Sequence, residues 1–505
     1  MNRCVACLLL ILWAGSAWGG SDHFLTIGGG GSPRNNQLSL ERNVVYFRKT
    51  LADCGLASAP HEVYFACGNE RIRDLQYSDP KFEPPRANVL LARIFDRNED
   101  DLYNSYRAHD LPDVNGPANR ASLNQWFATT GARLADGDRL FIYFTGHGGG
   151  GSRQTPRNTT MDLWMDGGMT VKEFVALLDK LSPKVKVVLF MVQCHSGGFG
   201  DVIFKGADAG PVLAEPSRCG FFATWSDRLA AGCTPDSQEE NYKDYTTYFF
   251  AALSGHTRMG EAVTPPDYDH DGQTSMAEAH AFVLLNSDTI DIPMTTSDVL
   301  LRQFSKTKDD KVKELMTAGT RFDDLLEAAA PDRRAVLAGL SKQLGLTGDD
   351  RAAAARQLAE SVERQRKALE PRGGGGRRGG DRIDALRNPI KARLLSRWPE
   401  MNSPYHPATI AALTKEADEI VQVVESSPTY KKWDDQTRQA DEQTDKSFEL
   451  ERKWVKCQRF LYVAESVALE ANLPKFAGKL VQARYEQLRK LEKETLGKPG
   501  VAAAR

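Results

Sequence analysis

Two short stretches carry residues equipped for nucleophilic chemistry. In VVLFMVQCHSGGFGD, Val187–Asp201, a continuous apolar run ends abruptly in Cys194, His195 and a cluster of small residues. In FIYFTGHGGGG, Phe141–Gly151, a second apolar run ends in His147 within a glycine-rich turn. A thiol attacks as its thiolate, and an ordinary cysteine is mostly protonated at neutral pH, so an imidazole or a helix N-terminus is usually recruited to activate it. His195 is the adjacent imidazole. Successive side chains of an extended strand point to opposite faces, however, so it is expected to aim away from the crevice that Cys194 faces. His147 closes another strand, with the helical stretch MTVKEFVALLDKL between the two, as a crossover between parallel neighbours requires. Side by side, these strand ends would bring an imidazole and a thiol to the C-terminal edge of a sheet, where open α/β folds keep their ligand crevice.

The elements needed to hold such a pair are readable around it. HFLTIGGGG, HEVYFACG, DRLFIYFT, KVKVVLFMVQC and CGFFATWS read as strands. LSLERNVVYFRKTLADCG, with Ser39 as its cap and Gly55 beyond its end, SLNQWFATTGARL and DYTTYFFAALSG read as helices between and after them. Near-continuous apolar strands alternating with helices predict an α/β domain over residues 20–300, a mostly parallel sheet sandwiched by helices. Beyond residue 300 the sequence turns to Ala, Leu, Glu, Lys, Arg and Gln at helical spacing, so 301–505 is predicted to be an all-α C-terminal region. PRGGGGRRGGDR, Pro371–Arg382, interrupts it as an exposed, flexible linker.

TGHG closing one strand and QCHSGG closing a later one resemble the paired signatures of the clan CD cysteine peptidases, the group of the legumains, caspases, metacaspases and gingipains. The resemblance spans roughly Phe24 to Asn286 and implies a caspase/hemoglobinase-like fold and a cysteine endopeptidase acting on peptides or proteins. It makes Cys194 the nucleophile that forms a thioester, His147 the proton shuttle, and the N–H groups of Gly148 and Cys194 the oxyanion hole. Glycine lets the backbone approach the reacting atoms, and one such donor lowers a barrier by about 3 kcal/mol. Gln193 departs from the pattern, because many members carry a small or acidic residue there, which points to a bacterial-type caspase-like branch rather than to legumain proper. In legumains a helical C-terminal segment covers the site until it is removed, so residues 301–505 are expected to restrain activity, with Pro371–Arg382 as a processing site. Two specificities stay open. An acidic or amidic P1 side chain needs a basic wall, for which Arg34 is the candidate; an Arg or Lys P1 needs a carboxylate, from Asp162, Asp166 or Asp227. Gly197 and Gly198 would keep the ground beside the thiol low enough for a peptide to lie across it.

DYDHDGQTSMAE, Asp267–Glu278, matches a twelve-position calcium loop. Asp267, Asp269 and Asp271 fall at the first, third and fifth positions and Gly272 at the turn. Gln273 offers its backbone carbonyl, Ser275 the water-mediated ninth position, and Glu278 the twelfth. Pro265 and Pro266 forbid an entering helix, so a structural Ca2+ with only an exiting helix is expected. Two rival functions stand beside this one: a caspase-like scaffold that binds a partner without chemistry, and a dinucleotide site at Gly146–Gly151. The second needs a helix opening at the glycines, whereas SRQTPRNTT follows.

With 65 Lys+Arg against 67 Asp+Glu, the net charge of −2 gives no field to gather nucleic acid or an anionic membrane. MNRCVACLLLILWAGSAWGG has an early Arg, an apolar run too short to span a bilayer, and small residues at Ala17 and Gly19, which predicts a signal peptide over residues 1–19 and a secreted or periplasmic protein. Cys54, Cys67, Cys194, Cys219, Cys233 and Cys457 then remain. In an exported chain, Cys54–Cys67 and Cys219–Cys233 are candidate disulfides. No C-x-x-C pair follows the leader and no two histidines have ligand spacing, which argues against zinc.

Overall fold

Unbroken runs of β-branched and aromatic residues, buried on both faces, build the centre of this computed structural model, which describes residues 20–208, 210, 212–305, 315–369 and 377–497. The predicted leader, 1–19, lies outside the described residues. The strands are β1 (Asp22–Gly28), β2 (His61–Phe65), β3 (Leu75–Ser78), β4 (Asn104–Arg107), β5 (Arg139–Thr145), β6 (Thr160–Leu163), β7 (Gly167–Thr170), β8 (Lys186–Met191), β9 (Arg218–Phe222) and β10 (Met294–Thr295). Six form the main sheet in the order β10-β9-β8-β5-β1-β2, parallel throughout except for the edge pair β9–β10. The pairs β3–β4 and β6–β7 are small antiparallel ribbons outside it.

Helices α1 (Leu38–Asp53), α2 (Arg86–Ile94), α3 (Arg120–Ala128), α4 (Val171–Leu178), α5 (Tyr245–Ser254), α6 (Met276–Asn286) and α7 (Thr296–Phe304) are interleaved with the strands. In α1 the residues Leu40, Val44, Phe47 and Leu51 repeat at helical spacing and are buried. Phe47 stacks on Phe250 of α5, and Tyr143 of β5 meets the same ring edge-on, at centroid distances of 4.9 and 5.2 Å. The cap of α1 is Gln37 rather than Ser39, which lies inside the first turn and accepts a hydrogen bond from the Thr234 amide.

The helical C-terminal region comprises α8 (Phe322–Ala328), α9 (Pro331–Leu344), α10 (Arg351–Leu369), α11 (Arg377–Arg397), α12 (Pro407–Lys415), α13 (Ala417–Glu425), α14 (Tyr430–Phe476) and α15 (Lys479–Glu492). Of the expected linker, residues 371–376 lie outside the described residues, and Arg377–Arg382 form the start of α11. No helix of the described residues is long and apolar enough to cross a membrane.

This region does not pack apart from the sheet. Tyr462, Leu469 and Leu473 of α14, and Tyr485, Leu488 and Leu491 of α15, belong to the same hydrophobic cluster as the strands of the main sheet. Fully buried Arg459 of α14 donates to the carbonyls of Leu284, Ser287, Thr289 and Asp291, at 2.8–3.3 Å. Fully buried Glu492 accepts from the Ser297 amide and hydroxyl at 2.9 and 2.7 Å, at the N-terminus of α7.

The six cysteines are all unpaired thiols. Cys54 follows α1 at the end of the sheet where β2 begins, while Cys67 lies just past the other end of β2, a strand length of about 17 Å away at about 3.3 Å per residue. Cys219 is inside β9, and Cys233 lies in the loop beyond the far end of that strand, 3.8 Å from the Gly146 carbonyl. Sequence proximity misleads in both pairs because a strand separates the partners.

Deleting residues 306–505 would uncover the core beside β9 and leave the carbonyls held by Arg459 without a donor. The truncated chain is expected to show no cooperative urea transition by circular dichroism, and Arg459→Ala in the full chain to cost about 3 kcal/mol. A truncated chain that unfolds cooperatively would overturn this reading of the interface.

Candidate active site

Strands β5 and β8 are hydrogen-bonded neighbours with Phe144 opposite Met191. Three residues further along each chain stand His147 and Cys194, so in-register pairing brings them off the sheet at the same level. The Val192 amide continues the ladder to Phe144 O at 3.3 Å before the two chains part.

Cys194 is half-buried. Its Sγ accepts the Ala230 N–H at 3.3 Å and lies 3.9 Å from the Ala230 carbonyl. Burial raises the thiol pKa; the Ala230 backbone opposes the rise, and the carboxylates of Asp291 and Asp162 add to it. His147 is also half-buried, and its Nε2 is hydrogen-bonded to Gln37 Oε1 at 2.9 Å. Burial lowers the imidazole pKa, against Asp162 and a hydrogen bond to the Asn35 backbone, which favour the charged form. The pair therefore rests as neutral thiol and neutral imidazole, each held by a third group. Among the described residues no hydrogen bond joins them.

Gly148 is fixed by space. A Cβ there would lie 2.5 Å from Gln193 Cγ, 2.5 Å from Thr160 O and 2.6 Å from Cys194 O, so no side chain fits and its backbone is pressed against that of Cys194. Among the described residues neither the Gly148 nor the Cys194 amide has a backbone acceptor. Ribbon β6–β7 secures this turn: Thr160 and Asp162 donate their amides to Gly149 O and His147 O, each at 2.9 Å. The Gln193 side chain is buried beneath it, with neither its Nε2 nor its Oε1 hydrogen-bonded among the described residues, so it does not face a substrate.

His195 has a different position from the one strand alternation predicts. Strand β8 ends at Met191, and His195 is left-handed (φ 62°, ψ 16°) at the start of a 3-10 helix over Ser196–Ile203. Its Nδ1 is hydrogen-bonded to Ser226 O at 2.9 Å, and its amide donates to Arg228 O at 2.8 Å. It ties down the 225–231 loop that presents Ala230 to the thiol. Gly197 and Gly198 are buried, not a floor under a substrate; a Cβ on them would meet Thr224 O at 2.7 Å and Thr159 Oγ1 at 2.2 Å.

The specificity candidates separate. Asp162, on β6, is half-buried and close enough to act on both Cys194 and His147. Asp227 is exposed in the loop between Ser226 and Arg228. Arg34 projects into solvent, 84 % exposed and 3.9 Å from Asp101. Asp166 accepts the Arg120 amide at 2.8 Å, at the N-terminus of α3. Sequence reading missed Gln37 and the Ala230 backbone. Gln37 ends the glycine loop after β1, where Asn36 bridges Gly30 N and Asp74 O; a pattern search for a phosphate loop passes over it. Ala230 acts through its main chain, which leaves no mark in residue type.

In the Asp267–Glu278 loop, the carboxylates of Asp267, Asp269 and Asp271 lie within 4.8 Å of one another. Asp267 accepts the amides of Asp271 and Gly272, both at 3.0 Å. None of the three pairs with Lys or Arg among the described residues, so the concentration of negative charge suits a divalent cation. Glu278 is spent otherwise: it is buried, forms a capping box with Ser275 at the start of α6, and accepts the Tyr268 and Asp269 amides. Ser275 is the other half of that box, and the Gln273 amide donates to Asp271 at 2.8 Å. Only the three aspartates converge.

No family model matches the chain, and no curated protein does. Among solved structures it is similar to a crystal structure of protein GSU0716 from Geobacter sulfurreducens, at 13% sequence identity and a TM-score of 0.30, covering 55% of this chain and 93% of that one. A likeness at that level carries no argument about activity. The fold makes this chain a mixed α/β protein, with a mostly parallel sheet flanked by helices and a helical C-terminal region.

Asp162 provides a test of this electrostatic arrangement. Asp162→Asn removes a negative charge that raises both pKa values, so the pH profile of thiol labelling by an affinity ketone is expected to shift as a whole to lower pH. The sign follows from the charge: with less negative potential, imidazole loses its proton, and thiol becomes thiolate, at lower pH. Asp166→Asn should leave the profile in place. A profile unmoved by Asp162→Asn would exclude that carboxylate from the site.

Proposed function

We propose that this chain is an exported cysteine endopeptidase of the caspase/legumain type, working through Cys194 and His147. The observation that carries the reading is the β5–β8 register, which sends thiol and imidazole off the sheet at one level, beside the Gly148 and Cys194 amides, neither of which has a backbone acceptor among the described residues. A substrate carbonyl seated against the Gly148 and Cys194 N–H groups meets donors aimed at its developing negative charge. The thiol proton passes to His147 as sulfur attacks the carbonyl carbon. The imidazolium then protonates the leaving amine as the C–N bond breaks, which leaves a thioester on Cys194. Water attacks that thioester with His147 as base, releasing the acid and restoring the thiol.

Of the two specificities, Arg or Lys at P1 fits better. Asp162 lies beside both reacting groups and Asp227 on the adjoining loop, whereas Arg34 faces solvent. The dinucleotide alternative is weakened because the glycine run leads into β6 rather than into a helix. The export reading rests on the leader sequence alone. A calcium ion at Asp267, Asp269 and Asp271 would neutralise their mutual repulsion and brace the entry to α6, a structural role with no part in the chemistry.

Wild-type protein with calcium present is expected to react with a cysteine-directed acyloxymethyl ketone, and Cys194→Ala not at all, while His147→Ala slows labelling by roughly 10²–10⁴-fold. Cleavage of a peptide library should concentrate at Arg and Lys. A wild-type chain that neither labels nor cleaves any peptide belongs instead to the binding-scaffold reading. For the cation, millimolar calcium is expected to raise the thermal midpoint of wild type by several degrees and that of Asp267→Asn far less; equal shifts would place the ion elsewhere.

A further inference from the structure

Away from the Cys194 crevice, one group of side chains has the make-up of a transition-metal site. Cys67 follows β2, Asp74 precedes β3, and His109 follows β4. One ligand atom from each, for His109 a ring nitrogen, lies within 4.8 Å of the other two. Cys67 and Asp74 are buried, at 4% and 0% exposure, and Cys67 Sγ is 3.3 Å from Asp74 Oδ2. The other carboxylate oxygen is held by the His109 amide at 3.0 Å.

The imidazole of His109 provides an independent indication. Its Nε2 is 2.8 Å from Gly68 O, and a carbonyl can only accept, so Nε2 carries the proton and Nδ1 is left with the lone pair. That Nδ1 is shielded from solvent and has no hydrogen-bond partner among the described residues. A ring with one N–H anchored on a backbone carbonyl and the other nitrogen left open is the arrangement that prepares a histidine for a metal. The sulfur–oxygen spacing agrees. Tetrahedral zinc, with bonds of about 2.3 Å to sulfur and about 2.0 Å to oxygen, sets the two ligands about 3.5 Å apart. A thiolate and an imidazole select zinc over calcium or magnesium, which take oxygen ligands.

We propose that Cys67, Asp74 and His109 bind a zinc ion through the thiolate, one carboxylate oxygen and Nδ1, with water or the Glu70 carbonyl, 3.1 Å from the sulfur, in the fourth position. Binding releases one proton, from the Cys67 thiol, which becomes the thiolate ligand. The ion ties the β3–β4 ribbon to the edge strand of the main sheet. It also stiffens Asp74, whose carbonyl accepts from the Asn36 side chain at 2.9 Å, one residue before the Gln37 that holds His147.

The test uses the full chain with Cys194→Ala, so that the reactive thiol cannot capture metal. After chelation and dialysis, the folded protein is titrated with Co2+ and separately with Zn2+, following the thiolate-to-cobalt charge-transfer absorption and the zinc stoichiometry by native mass spectrometry. One equivalent is expected to bind, with affinity lowered at least about 100-fold by Cys67→Ser and by His109→Ala, and unchanged by Asp267→Asn. Cys67→Ser keeps a donor toward Asp74, and circular dichroism of the metal-free chains checks the fold of both variants. No charge-transfer band in the Cys194→Ala chain, or a band that survives either substitution in a folded variant, overturns the assignment.

Discussion

Everything at the candidate site depends on the parallel, in-register pairing of β5 with β8. Neither strand has a polar face, so the pair is stable only with helices on both sides, and its ladder leaves no freedom to slide: a slip of one residue would turn every side chain to the opposite face. Cys194 and His147 lie beyond the last pair of that ladder. Their nearness is thus a property of the backbone register, established by burial of the apolar residues before them, and it requires no bond between the two side chains.

What the register leaves open, the loops determine. The thiol is held by Ala230 and the imidazole by Gln37, and each holder is itself fixed from behind. Asn36, next to Gln37, spans Gly30 and Asp74. Ala231, next to Ala230, donates to Asp291 at 2.7 Å, a buried carboxyl pushed up to about 7 by loss of solvent despite that hydrogen bond and the charge of Arg459. Arg459 in turn comes from α14, more than two hundred residues beyond the thiol. Such relays hold a half-buried cysteine and histidine in place: their direct holders, the Ala230 main chain and the Gln37 side-chain amide, do not titrate, whereas Asp291 behind Ala231 does so near neutral pH.

The parts legible in the sequence are those where one residue type has one meaning. An apolar run that breaks off in small or polar residues marks a strand end: β2, β5 and β8 lie within the stretches so marked, and β1 and β9 each start one residue earlier, at Asp22 and Arg218. The same logic marks His147 and Cys194 as lying just past strand ends; for His195 it assumes that the strand continues, whereas the chain leaves β8 at Met191 and turns left-handed at 195, with the imidazole bonded to Ser226 O. Spacing also leaves a choice where a residue has competing uses. Glu278 fits the last position of a calcium loop and equally the third position of a helix cap, and the cap is the use seen, since the orphan amides of α6 are adjacent. Cys67, Asp74 and His109 carry no spacing signal at all; only the folding of β3 and β4 against the edge of the sheet brings them together.

The C-terminal helices show why composition alone gives a weak account of a boundary. Their Ala-, Leu- and Glu-rich sequence reads as a separate bundle, yet the contacts they make with the sheet region are partly buried ions. Burial alone would raise the Asp298 carboxyl, but Arg333 and Arg302 hold it at about 2, and both Arg333 and Ser466 bond to it across the boundary. Shedding the helices would leave such carboxylates without their counter-charges, and an uncompensated buried charge costs several kcal/mol. A region attached in this way is part of the folded unit rather than a removable cover. Any restraint it exerts on the crevice must then act with the helices in place. The contact suited to that role is at the rim, where Arg228 of the Ala230 loop meets Glu451 at 3.0 Å and lies 5.1 Å from the Trp454 ring centre. Both side chains of this pair are largely buried, at 20% and 23% exposure, so it anchors the helices to the wall of the crevice.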